Sequence, residues 1–355
     1  MLLTDQNYLE DSVILKLFLA RMTFLTVQEK KKFANNIDSL SKLALCSIED
    51  ICNLIGRKIK SKLPWNGQEN LRQAKAVAYK CKLLKCELLY IEDDDYPESL
   101  RQISDPPFLL FCRGNYKLLS AERMVSIVGT RKITPAGRLA AKSFAYDAAM
   151  DSCNVVSGLA TGVDGNAHQG CIDAFYDSDE KGLDTTLIGK TIAVMPSAID
   201  TIFPNGQKRL AEQIIQTGGC LVSEYEPGEE LANWHFVGRN RIIAGLSPAT
   251  IVIEAPPGSG ALITADFALD YNRDLFFHEA AFGSMANQVA QIVGSNLEKD
   301  FAVGKVSKHK IENRPEKFIK DGAPVIKDYK DYCKALTEMP GTRSANIVQQ
   351  KLFED

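Results

Sequence analysis

From residue 124 onward, short apolar runs alternate with amphipathic stretches, and this rhythm limits the chain to very few folds. The runs cover 125–129, 154–158, 191–196, 220–225, 250–255 and 275–278; helical periodicity falls between them at 135–150, 166–175, 207–216 and 261–271. Strand and helix in strict alternation build a parallel α/β sheet. Because the runs are apolar at nearly every position, they suit strands covered on both faces. The fold class expected is α/β, a Rossmann-like, mostly parallel sheet domain.

Upstream the period changes. Residues 8–90 read as helical, with apolar spacing in Val13, Leu15, Leu17, Phe18 and Leu19 and again in Leu71, Ala74, Val77 and Ala78. A small helical domain is expected over 1–90, SAM-like or helix-hairpin-helix-like, although the G-x-G turn of such a hairpin is missing. Ser47, with acids just behind it and Gly56 at the far end, marks one helix. Between 57 and 85 nine bases, including Lys60, Lys62, Lys75 and Lys82, face a single acid, Glu69; this is either a phosphate-attracting surface or a set of solvated helix faces. The acidic, turn-rich segment 92–97 and Asp105-Pro-Pro107 form the junction. The sheet domain is expected over 91–336, and 337–355 as a short tail without a winged-helix module.

Composition excludes some classes. A formal charge of −3 leaves no global basic signature, so any nucleic-acid contact must be local. Nine cysteines without a C-x-x-C pair fit neither a disulfide framework nor a zinc knuckle, which points to a reducing cytoplasm. No export signal or membrane span is visible.

In an open α/β sheet, ligands bind where the strands end, so the loops after the apolar runs carry the chemistry. Ser126-Ile-Val-Gly-Thr-Arg131 ends a strand on glycine and adds a hydroxyl and a guanidinium, groups able to hold a phosphate; the glycine alone could serve packing. Val156-Ser-Gly-Leu-Ala-Thr-Gly-Val-Asp-Gly165 suits a backbone cradle for an anion. Its Asp164 and His168 have the spacing of a metal or acid/base pair, but Asp164 as a helix cap and His168 packed beneath the loop is the reading favoured. Arg239 and Arg241 flank Asn240 at an expected helix start, near Phe236, which serves either as a base-stacking platform or as a core plug. The last loop is Pro256-Pro-Gly-Ser-Gly-Ala-Leu-Ile-Thr264.

Taken with Phe203-Pro204, Ser223-Glu-Tyr225, Phe236-x-x-Arg-Asn-Arg-Ile-Ile-Ala-Gly-Leu-Ser247 and Ser259-Gly-Ala-Leu-Ile-Thr-Ala265, these motifs resemble the DNA-processing protein A (DprA/Smf) family in order and spacing, over about residues 90–336. The resemblance implies a non-enzymatic, single-stranded DNA-binding protein, needing no cofactor, that dimerises, protects incoming strands and loads RecA recombinase during natural transformation. It implies DNA contacts from Gly129, Thr130, Arg131, Ser157, Gly158, Phe236, Arg239, Asn240 and Arg241, with Lys208, Ser259 and Gly260 beside them. The chain departs from the family at 277–283 and in the lysine-rich stretch 301–320, so the crevice rim is expected to differ.

A second reading is a nucleotide-processing enzyme related to the lysine-decarboxylase-like phosphoribohydrolases, and a third is a sensor of a small anionic ligand. Against the enzyme stands Thr264, where those hydrolases carry a carboxylate. Glu224 and Glu254 remain at strand ends, where each can hold a loop amide or an arginine. No Ser-His-Asp, metal-ligand or Walker pattern is evident, so no hydrolysis is expected.

Overall fold

The computed structural model describes residues 10–36, 39–59 and 65–338. Lys60 and Lys62 of the basic stretch, and the tail beyond 338, lie outside the described residues.

Five helices come first: α1 (Asp11–Ala20), α2 (Val27–Ala34), α3 (Leu40–Leu45), α4 (Ile48–Ile55) and α5 (Gly67–Leu84). Their boundaries follow from local chemistry. Ser47 accepts the Asp50 amide at 3.1 Å while the Asp50 carboxylate takes the Ser47 amide at 2.8 Å, and Gly56 ends α4 at φ +81°. Thr26 and Glu29 cap α2 in the same reciprocal way. Trp65 donates to the Cys46 carbonyl at 2.8 Å and meets Phe18 and Phe24 edge-on, which fastens the start of α5 to α1. The basic stretch is partly neutralised: Arg57 pairs with Glu29, Arg72 with Glu69, and Lys80 donates to the Pro227 carbonyl.

The chain then runs β1 (Glu87–Tyr90), α6 (Glu98–Arg101), β2 (Leu109–Gly114), β3 (Met124–Val128), α7 (Pro135–Met150), β4 (Asn154–Ser157), α8 (Val163–Glu180) and β5 (Thr191–Val194). It continues through α9 (Lys208–Gln216), β6 (Cys220–Ser223), α10 (Asn233–Leu246), β7 (Ala249–Val252), α11 (Gly260–Asp270) and β8 (Asp274–His278). It closes with α12 (Ser284–Ala302), α13 (Lys308–Glu312), α14 (Pro315–Lys320), β9 (Val325–Ile326) and α15 (Tyr329–Glu338).

The nine strands form one mostly parallel sheet in the order β1-β2-β6-β5-β4-β3-β7-β8-β9. All six apolar runs became strands; the first five end one to three residues early because their last residues bend into the loops above the sheet, and the sixth ends at His278 as expected. Two expectations change. Glu87–Tyr90, read as the end of the helical region, is a strand, because Leu88 to Tyr90 find backbone partners in Leu109 to Phe111 of β2. β2 in turn runs antiparallel to β6, so two antiparallel strands extend the edge of the parallel sheet.

Strand order winds outward from β3 in both directions, to β4 on one side and β7 on the other. The gap between those crossovers is the switch point at which a crevice must open. Alternate residues of β3 face opposite layers: Val125 and Ile127 join Phe144 and Ala145 of α7, while Met124 and Val128 join the layer containing α10 and the N-terminal helices. The helical N-terminus therefore shares a core with the sheet.

Candidate functional site

Three loops meet above the carboxyl ends of β3, β4 and β7. The first holds Gly129, Thr130 and Arg131. The Thr130 amide donates to the Glu254 carbonyl at 2.7 Å, and the Thr130 carbonyl accepts the Val163 amide at 3.1 Å, tying this loop to β7 and to the start of α8. A methyl group at Gly129 would strike the Val163 side chain and come 2.7 Å from the Glu254 carbonyl, so the glycine is required by packing. Glu254, 3% exposed, accepts the Thr134 amide at 2.9 Å and the Thr134 hydroxyl, and Thr134 caps α7. This carboxylate is an anchor for the loop that presents Arg131.

The second loop is held from below. His168 is fully buried; its Nε2 accepts the Leu159 amide at 3.3 Å and its Nδ1 lies 2.6 Å from the Thr191 hydroxyl, which donates to the Val155 carbonyl at 3.1 Å. That chain of bonds fits a neutral ring protonated at Nδ1, and burial, with the nearby Arg239 charge, pushes its pKa down to about 3. The favoured packing reading of His168 holds. Asp164 differs from expectation: Gly162 is the N-cap of α8, and Asp164, inside the first turn, accepts the Ala160 amide at 3.3 Å. Burial raises its pKa, opposed by the charge of Arg239.

The third segment is corrected most. Phe236 to Arg241 lie in the middle of α10, which begins at Asn233, not at a helix start. Helical spacing sends the two arginines to different places. Arg239, 5% exposed, donates through Nη1 to the Gly158 and Val194 carbonyls, the latter at 2.7 Å, and a methyl on Gly158 would collide with its guanidinium. Arg241 turns away, to Glu224 at 2.7 Å and Asp105 at 3.1 Å, and faces a separate groove of about 600 Å³ beside Arg21 and Trp234. Both carboxylates hold its pKa up. Asn240 donates to the Gly260 carbonyl at 3.1 Å.

Above these loops lies a crevice of about 410 Å³, within the range of roughly 300–1,000 Å³ typical of ligand sites. Of the residues singled out from sequence, Gly129, Thr130, Arg131, Asp164, Phe236, Arg239, Asn240, Ser259 and Gly260 line it. Ser157 sits beneath, its hydroxyl on the Ile127 carbonyl at 2.6 Å, and Gly158 serves as the seat of Arg239. Lys208 is exposed at the start of α9, outside the lining. Thr264, 1% exposed, takes the hydrolase carboxylate's place in the lining. Arg131 is exposed, stands 5.0 Å from the centre of the Phe236 ring, and belongs to no ion pair among the described residues. Phe203, 37% exposed, meets Phe236 edge-on at 5.6 Å, extending an aromatic shelf.

Sequence reasoning missed Phe203 as a contact, as well as Lys132 and Lys310 in the lining. Phe203 belongs to the Phe203-Pro204 motif, and Lys132 follows Arg131 directly. Lys310 belongs to the lysine-rich stretch 301–320 expected to alter the rim, but nothing local distinguishes it from the neighbouring lysines.

Among the described residues no cluster of three or more His, Cys, Asp or Glu side chains could hold a metal ion, and no helix is long and apolar enough to cross a membrane. No disulfide joins any of the nine cysteines, all of which are among the described residues.

Comparison with known proteins adds the following. Residues 87–337 match the family model described as DNA recombination-mediator protein A. The chain is 38% identical to the Synechocystis protein Smf over 193 residues, which are 54% of this chain and 45% of that one; the match thus spans about half the relative's length. The X-ray structure of DNA processing protein A from Streptococcus pneumoniae superposes with a TM-score of 0.63 at 28% identity, over 92% of this chain and 98% of that one. A structure of DNA processing protein A from Helicobacter pylori, described for its single-stranded DNA binding mode, gives 0.53 at 25% identity over 72% and 97%.

Proposed function

The chain belongs to the DNA recombination-mediator protein A family, the DprA/Smf proteins, and on that premise we propose that it binds single-stranded DNA across the switch-point crevice without cleaving it. The observation that carries this reading is Arg131, exposed, anchored through its loop to β7, and stacked over Phe236 on the crevice rim. A phosphate meets a guanidinium that is in no ion pair among the described residues, although the buried Asp164 lines the same crevice, and the adjoining base meets an aromatic shelf. Both contacts are indifferent to sequence. The likeness to the Helicobacter protein supports the choice of ligand.

Arg239 and Arg241 act from behind. Arg241 commits its donors to two carboxylates and a carbonyl, and the buried Arg239 spends Nη1 on two carbonyls while its Nε has no hydrogen-bond partner among the described residues, so the cations exposed to phosphates are Arg131 and Lys132, with Lys208 at the margin. Each phosphate neutralised on a single strand adds about −0.7 to the log–log salt slope, so two to three contacts give roughly −1.4 to −2.

Arg131→Ala is expected to weaken oligodeoxynucleotide binding by about 1–3 kcal/mol and to shallow that slope by about 0.7. Phe236→Ala is expected to cost about 1–3 kcal/mol while leaving the slope nearly unchanged. Fluorescence anisotropy at four salt concentrations separates the two effects. A folded Arg131→Ala protein with wild-type affinity and slope would remove DNA from this crevice, and mononucleotides competing as well as oligonucleotides would favour the small-anion reading.

Loading of RecA and a homodimeric state belong to the same proposal and follow from family membership alone. The check is faster RecA filament formation on strands coated with single-strand-binding protein, alongside sedimentation at micromolar concentration. No acceleration, or a monomer, would count against that part.

A further inference from the structure

The far wall of the crevice is built by Val293 and Leu297 of α12 and by Lys310, which lies in the lysine-rich stretch 301–320 where the sequence departs from its family resemblance. Helices α12 and α13 are fixed against the Pro256-Pro-Gly-Ser-Gly loop: the Gly258 amide donates to the Asn313 carbonyl at 2.9 Å, and the Asn313 side chain, 4% exposed, donates to Asp266 at 2.7 Å. Arg314, just before α14, pairs with Glu298 of α12 at 3.0 Å. A methyl added at Gly258 would lie 3.0 Å from Leu297 Cδ1 and 3.1 Å from Lys310 Cγ, so the stem of Lys310 is laid along this loop. Lys310 is exposed and belongs to no ion pair among the described residues. Such a side chain buries its methylenes and leaves its ammonium in the solvent at the crevice.

Arg131 reaches the same space from the β3 loop, with the start of α11 at Ser259 and Gly260 lining the crevice as well. We propose that Lys310 is a phosphate clamp on the wall formed by α12 and α13, so that the crevice grips a single strand from two sides. The inference rests on the reading of the crevice as the single-strand site. A volume of about 410 Å³ closed by two cationic walls suits nucleotides threaded one at a time. Stacked, paired bases would have to leave the helix to enter it.

The test measures binding of an oligodeoxythymidylate and of a blunt duplex at several salt concentrations for wild type, Lys310→Gln, Arg131→Gln and Lys308→Gln. Lys308 lies two residues away, is absent from the crevice lining and pairs with Glu312 at 3.3 Å, so it controls for general charge. Lys310→Gln is expected to weaken single-strand binding roughly threefold to tenfold and to shallow the salt slope by about 0.7, with a smaller change for Lys308→Gln and little change in duplex binding. Wild-type affinity and slope for Lys310→Gln, beside a weakened Arg131→Gln, overturn the clamp and leave the crevice reading standing. Equal losses for Lys310→Gln and Lys308→Gln also overturn it, since diffuse charge then accounts for the effect. If Arg131→Gln and Lys310→Gln both bind as wild type, the crevice reading falls and the clamp with it.

Discussion

Replacing Arg239 with methionine is expected to destabilise the protein by about 3–5 kcal/mol and to abolish single-strand binding, although Arg239 is only 5% exposed. The guanidinium is buried, its Nη1 joins the ends of β4 and β5 through the Gly158 and Val194 carbonyls, and its charge opposes the burial of Asp164. Methionine fills much of the volume but leaves two carbonyls without their donor and takes away the charge that favours the ionised form of the buried Asp164. Unsatisfied groups of this kind each cost about 1–3 kcal/mol, more when charged. The Gly158 loop then has nothing beneath it. Urea unfolding should show the loss, and anisotropy should show binding falling further than for Arg131→Ala. A variant of wild-type stability would mean that the Arg239 contacts contribute nothing net.

Acidification from pH 7 to 5 is expected to remove about 2 kcal/mol of stability through His168 alone, and more on the way to pH 3. The folded protein keeps this ring neutral down to about pH 3, whereas the unfolded chain takes its proton near 6.5. Between those values the unfolded state binds the extra proton, so stability falls as pH falls through the window, by about 1.4 kcal/mol for each unit. The carboxylates held low by arginines, Glu29 and Glu69, both at about 2, act below their ordinary 4.5, whereas carboxyls raised by burial, Asp164 and Glu229 among them, work against the histidine slope as pH falls, so the histidine share is read from the difference between wild type and a His168 variant. His235 and His278 are also lowered by burial and add to the slope. Protonating Nε2 of His168 would cancel its bond to the Leu159 amide, so the second loop of the crevice should loosen with it. His168→Gln should flatten the pH dependence of urea midpoints relative to wild type. An imidazole resonance of His168 titrating near 6.5, or an unchanged slope in the variant, would refute the assignment.

The sequence by itself determined what depends on neighbours along the chain. Apolar runs of four to six residues between helical stretches specify buried parallel strands, and Ser47 with Gly56, or Thr134 with Pro135, specify helix ends through bonds three residues apart. The order of loops after the strands was legible for the same reason, and with it Gly129, Arg131 and Phe236 in one crevice. Tertiary structure alone decided where long side chains finish. Arg239 and Arg241 are two residues apart on one helix, a rotation of about 200° at 3.6 residues per turn, so one supports the crevice floor and the other serves a carboxylate pair in a different groove. Glu87–Tyr90 became a strand only because β2 offers it an edge. Lys310 reached the crevice because α12 and α13 fold back over the Gly258 loop, a contact between residues some fifty positions apart that no local pattern records.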